Sequence, residues 1–352
     1  MVVTLNYRLN MFAFGDGDGE KNLALSDQRA ALEFVRQHIG GFGGDPRNIT
    51  LAGESAGAVY VHAHMVMGVP MRQAVLQSGS LYLSPPIPEA RAKDIVARIE
   101  DRLSLNGSPG LREASAEDIL NAQADLGLVS LFLRMEPGLE KWRDELGHAE
   151  RLLIGDCEYE SAIWRNGVEA LSAESICRSF DLLGDESASL KAMYGIHPGR
   201  PASCKIGALD LLHDVRFTVA TEKIVEQWHA QGRHVFRYLV DEANPWQPSN
   251  RAHHTVDLPL LFGGFDLSFN SGAYRVSSVM SRKWIEFSAG MTPWEVKGYY
   301  AFGPLGNSML IDEDGFAVRR RKRHCDAIKK IGVDRVDEVW KALAINNVSF
   351  EN

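Results

Sequence analysis

The stretch NITLAGESAGAVYVHAHMVM, residues 48–67, changes character at its middle. Its opening is apolar and strand-like, and from Ala56 onward it is compatible with a helix. Between the halves, Gly53 and Gly57 bracket Ser55, and the small Ala56 follows it. A G-x-S-x-G run at a strand end and helix start predicts a turn too tight for bulky flanking residues, one that lifts the serine hydroxyl above the sheet. The Ala56 backbone N–H, at the positive end of the helix, can then face a developing oxyanion. The competing reading is a Gly-rich turn with a spectator serine. The strand before and the helix after favour a nucleophile.

Outward from this turn the chain alternates short apolar strands with helices. Strands are predicted at 2–9, 47–53, 72–79, 151–156 and 232–241. Residues 15–22, GDGDGEKN, read as a polar loop before a helix that carries Leu32, Val35 and Ile39 at helical spacing. Asp27 suits the start of that helix, and Gly40-Gly41 its stop. Such alternation predicts an α/β fold, with a mostly parallel sheet covered by helices on both faces. Residues 88–150 read as mostly helical, a cap or insertion within a single domain over 1–352. The first strand, VVTLNYRL, begins the chain as if inside a sheet, which predicts that the first strands of the fold are missing and that 2–9 lies near a sheet edge or gap.

Composition narrows the classes of function. The net charge of -8 argues against nucleic acid as the main partner, because phosphate binding needs clustered excess Lys and Arg. The one basic run, VRRRKRH at 318–324, reads as a solvated helix face. No apolar stretch approaches the ~18 residues of a membrane span. Four cysteines (Cys157, Cys177, Cys204 and Cys325) are widely spaced without a CxxC pair, so neither a zinc ribbon nor a dense disulfide framework is expected. Free thiols and a cytoplasmic location follow as expectations.

A serine nucleophile needs a base, and the base needs an orienting acid. On this architecture the chain order is Ser, then Asp or Glu, then His. Of eleven histidines, His38, His62, His64 and His148 come too early. His229 and His234 flank the start of a strand, whereas active sites of parallel sheets lie at strand C-terminal ends. His253 and His254 follow strand 232–241 through a loop and lie at the correct end. The acid should follow 151–156, where Asp156, Glu158 and Glu160 are available.

These segments together resemble the type B carboxylesterase and lipase family, which includes cholinesterases and fungal esterases. The resemblance rests on VVTLNYRL (2–9), SDQRAALEFVRQHIGGFGGDPRNITLAGESAGA (26–58), VLQSGS (75–80), GDCEYES (155–161), HHTVDLPLLFG (253–263) and SRKWIEFSAGMTPW (281–294). It implies an α/β-hydrolase fold and a serine ester hydrolase acting on small-molecule esters without cofactor or metal. Counting six residues from Gly155 puts the family's carboxylate on Glu160, and counting back from Phe262-Gly263 puts its histidine on His254. Ser55 would attack the carbonyl, His254 would shuttle the proton and Glu160 would orient the imidazole, with Ala56 in the oxyanion hole. Glu54 and Asp257 match supporting acids. The sequence departs from the family in two ways. It contains no HGGG-type loop, the source of further oxyanion donors, and it reads YES where Asp-Glu-Gly is usual. An alternative therefore follows: a truncated, catalytically silent relative with a binding role.

Overall fold

The computed structural model describes residues 1–16, 19–128 and 130–344. Six strands form one sheet in sequence order: β1 (Thr50–Glu54), β2 (Gln73–Gln77), β3 (Arg151–Cys157), β4 (His234–Val240), β5 (Tyr299–Phe302) and β6 (Ser308–Ile311). The first five run parallel and β6 returns antiparallel on β5. Parallel neighbours need long crossovers, which the helices supply. Those used below are α1 (Leu23–His38), α2 (Ala56–Val66), α3 (Glu89–Leu105), α4 (Ala116–Asp125), α5 (Pro201–His213), α6 (Val219–Ala230) and α7 (Ser271–Ser288).

Strand side chains alternate between faces, so residues one apart enter different cores. Ala74, Leu76, Leu152, Ile154 and Val235 pack with α2 and with Ile224 and Trp228 of α6. Val75, Leu153, Phe236 and Tyr238, one step out of phase, pack with Met280, Trp284 and Phe287 of α7. Every residue of β2 is buried, as a strand covered on both sides requires. Each fully buried large apolar side chain contributes about 1.5–3 kcal/mol. The sheet is thereby a rigid platform whose C-terminal edge carries the ends of β1, β3 and β4.

Several sequence expectations change. Residues 1–9 form no strand: the backbone is extended at Leu9, but no ladder bonds it to the sheet, and Val2 and Val3 are exposed. Its β-branched pattern suits a strand, yet a strand forms only where a neighbour takes its backbone groups. Tyr7 instead packs against Tyr60 of α2. Because α1 starts at Leu23 rather than near Ser26, Asp27 lies inside the helix, where its carboxylate accepts three bonds from Arg8. Gly17 and Asp18 of the predicted 15–22 loop lie outside the described residues. In 88–150 the helices stop at Asp125. Beyond Gly127, Leu131, Leu133, Trp142 and Leu146 are buried from turns and irregular backbone around Pro137-Gly138 and Gly147.

The basic run is the largest departure. Arg320 is 1% exposed and pairs with Asp156 of β3 at 2.9 Å and with Asp241 at 2.7 Å. Arg237 of β4 adds a second guanidinium on Asp156 and also holds Glu222. Arg319 joins Asp241, and Arg321 pairs with Asp214. Val318 and Arg323 of the run are exposed, as a solvated face predicts, but Arg319 and Arg320 form an ionic clamp across the ends of two central strands.

Candidate active site

β1 ends at Glu54 and α2 begins at Ala56, leaving one residue to reverse the chain. Ser55 does so at φ 52, ψ -117, a left-handed conformation that costs a non-glycine residue of order 1–3 kcal/mol and persists only where the surroundings impose it. Its N–H donates to the Gln77 carbonyl at 2.9 Å. The two flanking glycines are not equivalent. A Cβ on Gly53 would lie 2.3 Å from the Gly57 backbone, whereas one on Gly57 would meet open space. A third glycine, Gly79, lets the β2 loop pass the Ser55 carbonyl, which a Cβ would meet at 2.5 Å.

The ends of β3 and β4 keep pairing beyond the strands. The Glu158 N–H donates to the Val240 carbonyl and the Tyr159 N–H to the Ala252 carbonyl, in a parallel bridge between Tyr159 and His253. This stitch brings the next residue of each loop together. Glu160 is fully buried; its Oε1 accepts the Cys157 N–H at 2.5 Å, and its Oε2 lies 2.5 Å from His254 Nδ1. His254 Nε2 lies 2.8 Å from Ser55 Oγ. The neighbours that competed for these positions point elsewhere. Glu158 pairs with Arg251 at 2.5 Å. His253 bonds through Nδ1 to the His254 carbonyl and through Nε2 to the Asn244 amide.

Two further carboxyls crowd the imidazole. Glu54 Oε1 is 3.4 Å from His254 Nε2 and has no hydrogen-bond partner among the described residues. Asp257 accepts the Gln77 amide at 2.7 Å through Oδ2, while Oδ1 is unpartnered among the described residues. Burial, reinforced by Asp257 and Glu160 against the opposing pull of His254, pushes Glu54 up to about 8. Burial likewise raises Asp257 to about 6. Burial alone would lower His254, but attraction to Glu160, Glu54 and Asp257 outweighs it and lifts the imidazole to about 9. One base thus serves three acids.

Sequence reasoning passed over two contacts behind Glu160. Its N–H donates to His213 Nδ1 at 3.2 Å, and the Phe217 ring packs edge-on to His254 at 5.7 Å. Both residues lie in a helical stretch between β3 and β4 with no local motif, so only their place in space reveals them. No trio of His, Cys, Asp or Glu suited to a metal occurs among the described residues. No helix among them is long and apolar enough to cross a membrane.

The model of the carboxylesterase family matches residues 1–309. The chain belongs to the carboxylesterase family. It is 29% identical to lipase 3 of Yarrowia lipolytica over 97% of this chain and 70% of that protein. It is 28% identical to the para-nitrobenzyl esterase of Bacillus subtilis over 83% of this chain and 65% of the relative. A solved structure of a PNB esterase superposes with a TM-score of 0.69 at 22% identity, covering 90% of this chain and 72% of that one. The fold is therefore the α/β-hydrolase fold of carboxylesterases, with its mostly parallel sheet, and the chain spans about two thirds of these curated relatives.

Proposed function

We infer that this carboxylesterase-family chain hydrolyses carboxylic esters of small molecules through an acyl-enzyme on Ser55. The observation that carries the reading is the continuous linkage from Ser55 Oγ through both ring nitrogens of His254 to buried Glu160, at 2.8 and 2.5 Å. Neutral His254 accepts the Ser55 proton at Nε2 as Oγ bonds to the ester carbon. The imidazolium then returns that proton to the leaving alkoxide as the C–O bond breaks. Water repeats the sequence on the acyl-enzyme and releases the acid. Glu160 fixes the Nδ1–H tautomer and stabilises the cation. Ala56 N–H, at the first turn of α2, is the oxyanion donor that the elbow itself supplies. Glu54 and Asp257 act as supporting acids that set the proton affinity of His254.

The test is hydrolysis of short activated aryl esters by the chain and by Ser55→Ala. Wild-type turnover reduced to background by Ser55→Ala is expected. Equal rates in the two proteins would end the reading.

A further inference from the structure

Behind Glu160 the helix that begins at Pro201 does not run uniformly. α5 passes into a π-helical turn, Asp214–Thr218, and continues as α6. In an α-helix, side chains five apart project about 140° apart and cannot meet. In a π turn, with its i to i+5 bonding, they come onto one face. His213 and Thr218 are five apart, and their side chains join, Nε2 to Oγ1, at 3.1 Å. All residues of the π turn are buried.

The direction of every bond in this chain is fixed by chemistry. The Glu160 backbone N–H can only donate, so His213 Nδ1 is the acceptor and the ring carries its proton on Nε2. Nε2–H therefore donates to Thr218 Oγ1. The hydroxyl passes its own hydrogen to Asp156 Oδ2 at 3.3 Å. Asp156 is in turn held by Arg320 and Arg237. Burial pushes His213 well below the ordinary histidine value, with Arg321, Arg320 and Arg251 lowering it further against Asp156. The ring stays neutral, as that tautomer demands. The same turn sets Phe217 against the ring of His254. So the π turn and the residue that leads into it touch both partners of Ser55: His213 the backbone of the acid, and Phe217 the face of the base.

We propose that His213 and Thr218 are positioning residues for ester hydrolysis, locking the carboxylate of Glu160 onto His254 by tying its backbone, through a directed hydrogen-bond relay, to the ionic clamp at Asp156. This rests on the Ser55–His254–Glu160 reading above. His213→Leu leaves the Glu160 N–H without its acceptor. Thr218→Val keeps shape but cuts the relay, and Thr218→Ser restores it.

The experiment measures kcat, KM and active-site concentration, the last by stoichiometric labelling with an activated phosphonate ester, for the wild-type chain and these variants. A loosened carboxylate weakens the pull on the His254 proton, which Glu160, Glu54 and Asp257 together supply. The expected result is a fall in kcat per labelled site of about 10²-fold for His213→Leu, the scale of a slight misplacement in a catalytic group. Thr218→Val should fall less and Thr218→Ser should recover toward wild type. KM should change little, and the rising limb of the pH–rate profile should move to lower pH. Unchanged kcat per labelled site and an unchanged pH limb would overturn the proposal. So would a loss confined to the number of labelled sites, which marks a purely structural role. If the wild-type chain neither turns over nor labels, the esterase reading fails on its own. The downfield proton resonance of His254 Nδ1–H then decides the positioning role: it should be lost or shifted in Thr218→Val and kept in Thr218→Ser. A resonance identical in all three overturns it.

Discussion

Two buried carboxylate clusters lie four residues apart on the same chain segment, and they are built on opposite principles. At Asp156, acids meet guanidinium groups from Arg237 and Arg320, with Glu222, Asp241 and Arg319 completing the pairing. Burial would raise Asp156, but the two arginines outweigh it and hold the carboxyl far below its ordinary range. At Glu160, three acids share one imidazole, two carboxyl oxygens have no partner among the described residues, and Glu54 and Asp257 are pushed up. The first cluster has its charges matched and is suited to holding strands together. The second is short of positive charge, so its protons are exchangeable near neutral pH, as a proton-transfer site requires.

The largest effect expected from this contrast is on stability. Asp156→Asn leaves two buried guanidinium groups short of a counter-charge and should cost about 3–5 kcal/mol, measured as a drop in the urea midpoint at constant m-value. Glu54→Gln, which replaces a largely protonated carboxyl by an isosteric amide, should not lower the midpoint and near neutral pH should raise it, because it removes an ionisation that favours the unfolded chain. Equal losses in the two variants would erase the distinction between the clusters.

The pH dependence should separate the clusters by direction. Asp156 has a depressed pKa, so its contribution is present above its unfolded value of 3.8 and is lost as pH falls through the still lower folded value. His254, raised from 6.5 to about 9, contributes fully below 6.5 and loses that contribution as pH rises through about 9. Glu54, raised from 4.5 to about 8, disfavours the folded state increasingly across that window. Denaturant midpoints scanned across pH should therefore fall at the acid end in proteins that keep Asp156, and Asp156→Asn should flatten that limb alone. Glu54→Gln should soften the decline that begins near 4.5 and runs to about 8, and leave the limb governed by Asp156 unchanged.

Smaller shifts are expected in catalysis. On the proposed mechanism His254 must be neutral to accept the Ser55 proton, so the rate should rise toward alkaline pH. Glu54→Gln removes one source of attraction for the imidazolium and should move that rising limb to lower pH. Asp257→Asn should move it the same way by less, since Asp257 contributes less to the pull on His254 than Glu54 does. An Asp257 effect larger than that of Glu54, seen in the kcat/KM profile, would reverse the assigned roles.

What the sequence displays is local chemistry. Ser55 between Gly53 and Gly57, and the apolar runs that become β1 to β4, announce themselves because turn sterics and strand alternation act over a few residues. The four-residue β5 and β6 are too short for a periodic signal, and residues 2–9 carry a strand pattern without a partner. Glu160 and Glu158 are alike in sequence; what separates them is the Tyr159 bridge to Ala252, which turns one inward and the other toward Arg251. Arg319 to Arg321 look solvated because their acids lie far along the chain. The His213–Thr218 relay leaves no trace at all, because a π turn is a property of packing rather than of any residue type.

The ionic clamp also sets a timetable for synthesis. Asp156 and Arg320 are 164 residues apart, and at ribosomal rates of 5–20 residues per second the second follows the first by roughly 8 to 30 s. Through roughly the second half of that interval, once β4 has followed β3, both strands are present while a guanidinium that neutralises their shared acid has not been made. The nascent central sheet must wait with an unbalanced charge at its edge. An arginine translated near the end of the described chain completes the ion pairs at its middle.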